Sequence, residues 1–170
     1  NAIGLTGADG NLLPATRRKP VPVDFGYVGD VKTGAVNVRL LQSLLEQQAV
    51  PVLAPLTHSE GTMLNTNADT IAASVAIALS TLYEVRLVYC FEKTGVLADV
   101  NNPNSVIRNI NTQRYRELLE AGALHDGILP KLENAFDAIS KGVQEVLIGD
   151  AKDLITNTGP VTTGTLITRD

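Results

Sequence analysis

Two asparagines and an aspartate stand close together in Asn65-Thr66-Asn67-Ala68-Asp69, between an apolar stretch and a run with helical spacing. The apolar stretch, Ala49-Val50-Pro51-Val52-Leu53-Ala54-Pro55, reads as a buried strand. Polar groups therefore collect where a strand hands over to a helix, the edge at which open α/β sheets bind ligands. Helix capping explains part of this pattern: Asn67 suits the N-cap, and Asp69 in the first turn complements the positive end of the helix dipole. Asn65 is surplus to capping, which leaves Asn65 and Asp69 as candidates for binding and orienting a charged substrate. A second such place is Ala123-Leu124-His125-Asp126-Gly127-Ile128-Leu129-Pro130-Lys131. There Gly127 exposes backbone N–H groups just before a helix start, the arrangement that binds phosphate. Lys131 in that first turn opposes the dipole, so it either swings to solvent on its long stem or is placed to meet an anion. A third is Glu92-Lys93-Thr94-Gly95-Val96-Leu97, at the end of another apolar run. Neither Gly-x-x-x-x-Gly-Lys-Ser/Thr nor Gly-x-Gly-x-x-Gly occurs, and a serine nucleophile elbow is absent too.

Elements able to position these residues follow from periodicity. Residues 68–82 carry Ile71, Val75, Ala78, Leu79 and Leu82 at helical spacing, and residues 36–48 carry Leu40, Leu41, Leu44 and Leu45 opposite Arg39, Gln42 and Glu46. Helices are also expected over 112–121, stopping at Gly122, and over 130–141, opened by Pro130 and closed by Gly142. Strands are expected over 50–55, 85–90, 143–148 and 165–168. A hairpin is expected over 56–64, turning at Ser59-Glu60-Gly61, and another over 1–16 around Gly7-Ala8-Asp9-Gly10-Asn11. Residues 16–30, rich in proline and glycine, read as an irregular or β-rich excursion. Strands alternating with helices predict an α/β fold, a three-layer αβα sandwich whose mainly parallel sheet is covered on both faces.

A chain of 170 residues, 44% apolar, 19% charged and with a net charge of −4, fits one globular domain of about 100–200 residues. The densest basic run, Arg17-Arg18-Lys19, is too short for a nucleic-acid patch and reads as a solvated loop. A single cysteine forbids an internal disulfide; Cys90 reads as a buried apolar filler in a reducing compartment. His58 and His125 are too isolated for a metal site. No apolar stretch reaches membrane-spanning length, so a cytoplasmic setting is expected, with neither membrane nor nucleic acid as partner. The apolar strand at residue 1 suggests a chain that begins inside a larger protein.

Four stretches in register resemble one family. Asn65-Thr66-Asn67-Ala68-Asp69-Thr70 is similar to the Asn-x-Asn-Ala-Asp helix start of acetylglutamate kinases, within the amino acid kinase family. Asp126-Gly127-Ile128-Leu129-Pro130-Lys131 resembles their Gly-Met-Ile-Pro-Lys segment. The runs Val23-Asp24-Phe25-Gly26-Tyr27-Val28-Gly29-Asp30-Val31 and Ile3-Gly4-Leu5-Thr6-Gly7-Ala8-Asp9-Gly10 match further stretches in order. The resemblance covers nearly the whole chain but corresponds to the carboxyl-terminal, ATP-binding part of a family member, without the Lys-x-Gly-Gly phosphate loop or the arginine that holds the acylamino acid. It implies ATP-dependent phosphorylation of the γ-carboxylate of N-acetyl-L-glutamate, or another N-acylglutamate, in arginine biosynthesis. By that resemblance Asn65 binds the substrate carboxylate, Asp69 orients the catalytic lysines and Lys131 stabilises the transferring phosphoryl group. Glu92, Lys93, Thr94, Gly95, Val96 and Leu97, with Ala123, Leu124 and His125, line the ATP site. Mg²⁺ would accompany ATP, held by phosphates and water with no protein cage. A homo-oligomer is expected, and the segment by itself should be inactive. Phosphoryl transfer relies on charge neutralisation and positioning, for which a lysine at a helix start and an organising aspartate are suited. Two departures stand out: Phe91-Glu92-Lys93 replaces the usual Thr-Asp-Val, and Leu147 and Asp150-Ala151-Lys152 replace residues typical of arginine-inhibited members. Alternatives are a non-catalytic nucleotide-binding module and an amino acid kinase acting on a different small acid.

Overall fold

In the computed structural model, which describes every residue except Thr33, His125, Asp126 and Asp170, the chain divides into two units, Asn1–Ala78 and Leu79–Asp170. The first contains β1 (Ala2–Leu5), β2 (Ala15–Arg17), β3 (Gly29–Val31), α1 (Val38–Glu46), β4 (Val50–Leu53), β5 (Leu56–Ser59), β6 (Thr62–Asn65) and α2 (Ala68–Leu79), whose last residue enters the second unit. β1 pairs in parallel with β4, while β2–β3 and β5–β6 are antiparallel. The expected hairpin over 56–64 forms, with Glu60 and Gly61 at φ 49° and 79°, the two positive values a tight I′-type connection requires. The hairpin expected over 1–16 does not form. Leu12 and Leu13, read as its second strand, lie in a turn at 0% exposure, and β1 takes β4, from a distant part of the sequence, as its parallel partner.

At the carboxyl end of β1, the Thr6 N–H and hydroxyl each donate to Asp9 Oδ2 at 2.7 Å. The backbone bond first, and the hydroxyl bond second, hold the Asp9 carboxyl below its ordinary value of 3.8. A carboxyl lowered on folding stabilises the turn above the ordinary value, and that stabilisation disappears as pH falls through the folded value. An NMR titration of Asp9 Cγ is therefore expected to have its midpoint below 3.8 and to move up in Thr6→Val; an unshifted midpoint in the parent protein contradicts the bonds.

The second unit contains β7 (Arg86–Phe91), β8 (Asn109–Ile110), α3 (Thr112–Glu120), α4 (Leu129–Ser140), β9 (Glu145–Asp150), α5 (Leu154–Asn157) and β10 (Thr165–Thr168). Its four-stranded sheet runs β7-β9-β10-β8, parallel at β7–β9 and β10–β8 and antiparallel at β9–β10. Val146, Leu147 and Ile148 are all at 0% exposure. Successive strand residues point to opposite faces, so both faces of the sheet are covered at β9. Helix α4 contributes Leu132, Ala135, Ala138 and Ile139 to this core, a helical stripe in which each fully buried leucine or isoleucine is worth about 1.5–3 kcal/mol. Arg86 and Glu145 face each other in register and form an ion pair, and Arg86 Nη1 also donates to Gly159 O at 2.7 Å. Cys90 is exposed and not the buried filler its apolar neighbours suggest, since Leu87 and Tyr89 occupy the inward face of β7. No described helix is long and apolar enough to cross a membrane.

Candidate active site

In the first unit the chemistry is concentrated between β6 and α2. Thr66 is buried at 4% exposure; its hydroxyl lies 2.7 Å from that of Thr57 and donates to Gly29 O at 3.0 Å. With Thr66 fixed inward, its neighbours Asn65 and Asn67 are exposed. Asn67 Oδ1 accepts the Thr70 N–H at 3.1 Å, the capping bond expected from sequence, so that role belongs to Asn67 and leaves the Asn65 side chain for another. Asp69 is half-buried in the first turn of α2. Beside it a hollow of about 190 Å³ is lined by Leu53, Pro55, Ala68, Ile71, Ala72 and Val75. Thr6 and Asp9 border a second hollow at the carboxyl ends of β1 and β4. Neither was among the expected site residues, although a glycine-bounded turn directly after a strand was a legible signal.

In the second unit two hollows adjoin at Leu97 and Val100. One, about 180 Å³, is lined by Glu92, Lys93, Thr94, Leu97, Val100, Pro103 and Asp150. The other, about 330 Å³, is lined by Leu97, Ala98, Asp99, Val100, Gly122, Ala123 and Leu124. Glu92, Lys93, Thr94, Leu97, Ala123 and Leu124 are thus brought to one region beyond the carboxyl ends of β7 and β9, where a slot of mixed polar and apolar lining is available. Gly95 and Val96 are buried and anchor the loop: the Val96 N–H donates to Thr165 Oγ1 at 2.8 Å, and that hydroxyl donates to Ile107 O at 2.7 Å. Val100, Pro103 and Asp150, and in the second hollow Ala98, Asp99 and Gly122, join the lining without having been expected at the site. Asp150 closes a strand, which was a signal, whereas Val100 and Pro103 arrive through a loop whose path no periodicity records. Among the described residues no three His, Cys, Asp or Glu side chains are placed to hold a metal ion.

Lys131 lies in the first turn of α4, behind Pro130. Its ammonium is 5.3 Å from the ring centroid of Tyr89 and 5.9 Å from that of Phe91. The side chain is half-buried and does not simply swing out to water. Of the residues expected around a nucleotide, His125 lies outside the described residues. Asn65 and Asp69 belong to the first unit and Lys131 to the second.

Polar side chains collected at strand ends, and a lysine in the first turn of a helix, stand where α/β folds bind their ligands. Residues 1–150 match the amino acid kinase family, and the chain belongs to that family. It is 52% identical over 155 residues to the acetylglutamate kinase of Parabacteroides distasonis, covering 91% of this chain and 60% of that protein. To the acetylglutamate kinase of Methanopyrus kandleri it is 42% identical over 166 residues, covering 95% and 65%. The chain therefore spans about 60% of the length of curated relatives such as the first. Among solved structures, smu.665 of Streptococcus mutans aligns with a TM-score of 0.75 at 32% identity, over 99% of this chain and 61% of that one. N-acetylglutamate synthase of Neisseria gonorrhoeae, complexed with coenzyme A and N-acetyl-glutamate, aligns at 0.79 and 23% identity over 98% and 38%, a likeness of fold. The fold is the α/β fold of the family, with mixed strands mostly parallel within the four-stranded sheet.

Proposed function

We propose that this chain is the ATP-binding carboxyl-terminal part of a kinase that phosphorylates the γ-carboxylate of N-acetyl-L-glutamate in arginine biosynthesis. The observation that carries the reading is its identity to acetylglutamate kinases along nearly its whole length, with Asn65, Asp69 and Lys131 all at element ends. In this reading Asn65 offers its exposed amide to the substrate carboxylate, and Asp69 keeps catalytic lysine ammonium groups oriented. The slot beside Leu97 and Val100 takes the adenosine part of ATP, against Glu92, Lys93, Thr94, Ala123 and Leu124, and His125 belongs to the same set. Gly95 and Val96 hold that loop to β10. ATP supplies the phosphoryl group; the protein's part is to align the carboxylate oxygen with it and to keep water out. Lys131 places a positive charge where negative charge spreads in the transition state. Mg²⁺ accompanies ATP on its phosphates and on water, which suits a site where the described acidic groups, Glu92, Asp99 and Asp150, form no cluster able to hold a metal by themselves. The kinase is a cytoplasmic homo-oligomer in this proposal.

The test is an assay of the full-length protein with ATP and N-acetylglutamate, N-succinylglutamate, aspartate or carbamate, paired with a chemical-shift map of ATP binding. Turnover with N-acetylglutamate and shifts clustered at residues 92–97 and 123–124 are expected. Turnover only with aspartate or carbamate would move the protein to another acid. Binding without turnover on any of the four would make it a nucleotide-binding module, and shifts confined to residues 16–30 would remove the nucleotide assignment.

A further inference from the structure

The geometry points to Phe91, with Tyr89 beside it, as a positioning residue: an aromatic platform that holds the Lys131 ammonium at the start of α4. The inference rests on the catalytic reading of Lys131 and adds to it one means by which the lysine is kept in place.

Residues two apart on a strand share a face, so Tyr89 and Phe91 both leave β7 on the side opposite to the exposed Cys90. Tyr89 is buried at 3% exposure and Phe91 is half-buried at the strand's end. The ammonium lies 5.3 Å from one centroid and 5.9 Å from the other, both inside the roughly 6 Å within which a ring face attracts a cation. A lysine in the first turn of a helix is repelled by the dipole. The negative faces of two rings offset that repulsion and limit the rotamers open to a long, flexible stem. Ring faces also suit the task in a way that a carboxylate does not. They carry no net charge, so they hold the ammonium without cancelling the positive field it must present to a phosphoryl group. Phe91 is the first residue of the Phe91-Glu92-Lys93 departure from the family's usual Thr-Asp-Val. This departure thus places an aromatic ring at the carboxyl end of β7, facing the lysine.

The test uses the full-length protein and two readouts, one of them independent of activity. In Phe91→Leu and Phe91→Met, kcat should fall about three- to thirtyfold, the range a desolvated cation–ring contact spans. Phe91→Trp should stay within about twofold of wild type, with the KM for ATP little changed throughout. In a Lys131→Met background Phe91→Leu should cost nothing further, because its effect acts through the lysine. Separately, reductive ¹³C-methylation of lysines keeps their charge and places a resonance on Lys131. That resonance should be shifted upfield by the rings in the parent and return toward the other lysines in both non-aromatic variants. An unmoved resonance overturns the platform whatever the kinetics, as does an undiminished kcat in both variants when Lys131→Met is inactive. Near-wild-type turnover in Lys131→Met overturns the catalytic premise and this role with it; an upfield Lys131 resonance would then identify the lysine's chemistry, not its placement, as the part that failed.

Discussion

Lys131→Met in the full-length protein is expected to lower turnover by on the order of 10²–10³-fold, the effect of removing one preorganised charge-stabilising group from a transition state. Substrate affinity should change little if the charge is used only as the phosphoryl group transfers, so kcat and kcat/KM should fall together. The thermal midpoint should hardly move, because two contributions oppose each other. Removing a cation from the first turn of α4 relieves roughly 0.3–1 kcal/mol of dipole repulsion, while the contacts with Tyr89 and Phe91, each worth about 0.5–1 kcal/mol, are lost. Methionine keeps most of the stem's apolar contacts with the rings and adds a favourable sulfur–aromatic one. Unimpaired turnover would remove the residue on which the proposed mechanism most depends. Asp69→Asn is the companion: it keeps the shape of the helix start but removes the carboxylate, so a loss of turnover there without a change in melting separates orientation of lysines from dipole stabilisation.

Gly95→Ala should impair stability and nucleotide binding together. An added Cβ would lie 2.6 Å from Thr165 Oγ1, 3.0 Å from Thr165 N and 3.0 Å from Val106 Cγ1. The backbone atom cannot turn aside, and the hydroxyl is already engaged by the Val96 N–H and Ile107 O. Overpacking of this kind costs about 1–3 kcal/mol, and a displaced Thr165 hydroxyl would leave a buried donor unsatisfied at about 1–3 kcal/mol more. At roughly 2–4 °C per kcal/mol for a chain of this size, a fall in the thermal midpoint of several degrees is expected. The loop of Glu92, Lys93 and Thr94 would move with it, raising the KM for ATP more than it lowers kcat. A midpoint and KM equal to wild type would mean that the loop is not held against β10 in solution.

Elements whose ends carry their own chemistry were legible in the sequence. Asn67 marks the start of α2, Pro130 and Gly142 bracket α4, and Glu60-Gly61 turns β5 into β6; in each case the residue type and the backbone geometry it favours coincide. Partner choice was not legible in the same way. Gly7-Ala8-Asp9-Gly10-Asn11 has the composition of a hairpin turn, yet β1 pairs with β4, because a parallel partner is selected by a crossover that leaves no mark in local sequence. Facing was hidden too in residues 85–90, where an apolar run without alternation does not reveal that Tyr89 is inside and Cys90 outside. Asn65, Asp69 and Lys131 could be nominated from position alone. The rings under Lys131 could not, since their role depends on the start of α4 coming close to the end of β7 in the fold.

Cys90 is the chain's sole cysteine, and its exposure on β7 makes it a single-site handle for labelling. Its side chain leaves the strand on the face opposite to Tyr89 and Phe91, so a thiol-reactive fluorophore attached there would sit one peptide unit from the Lys131 platform yet be screened from it by the strand itself. Within these 170 residues such a dye would test whether nucleotide reaches the slot formed by the residues that follow β7, with no change to the groups proposed to carry the chemistry.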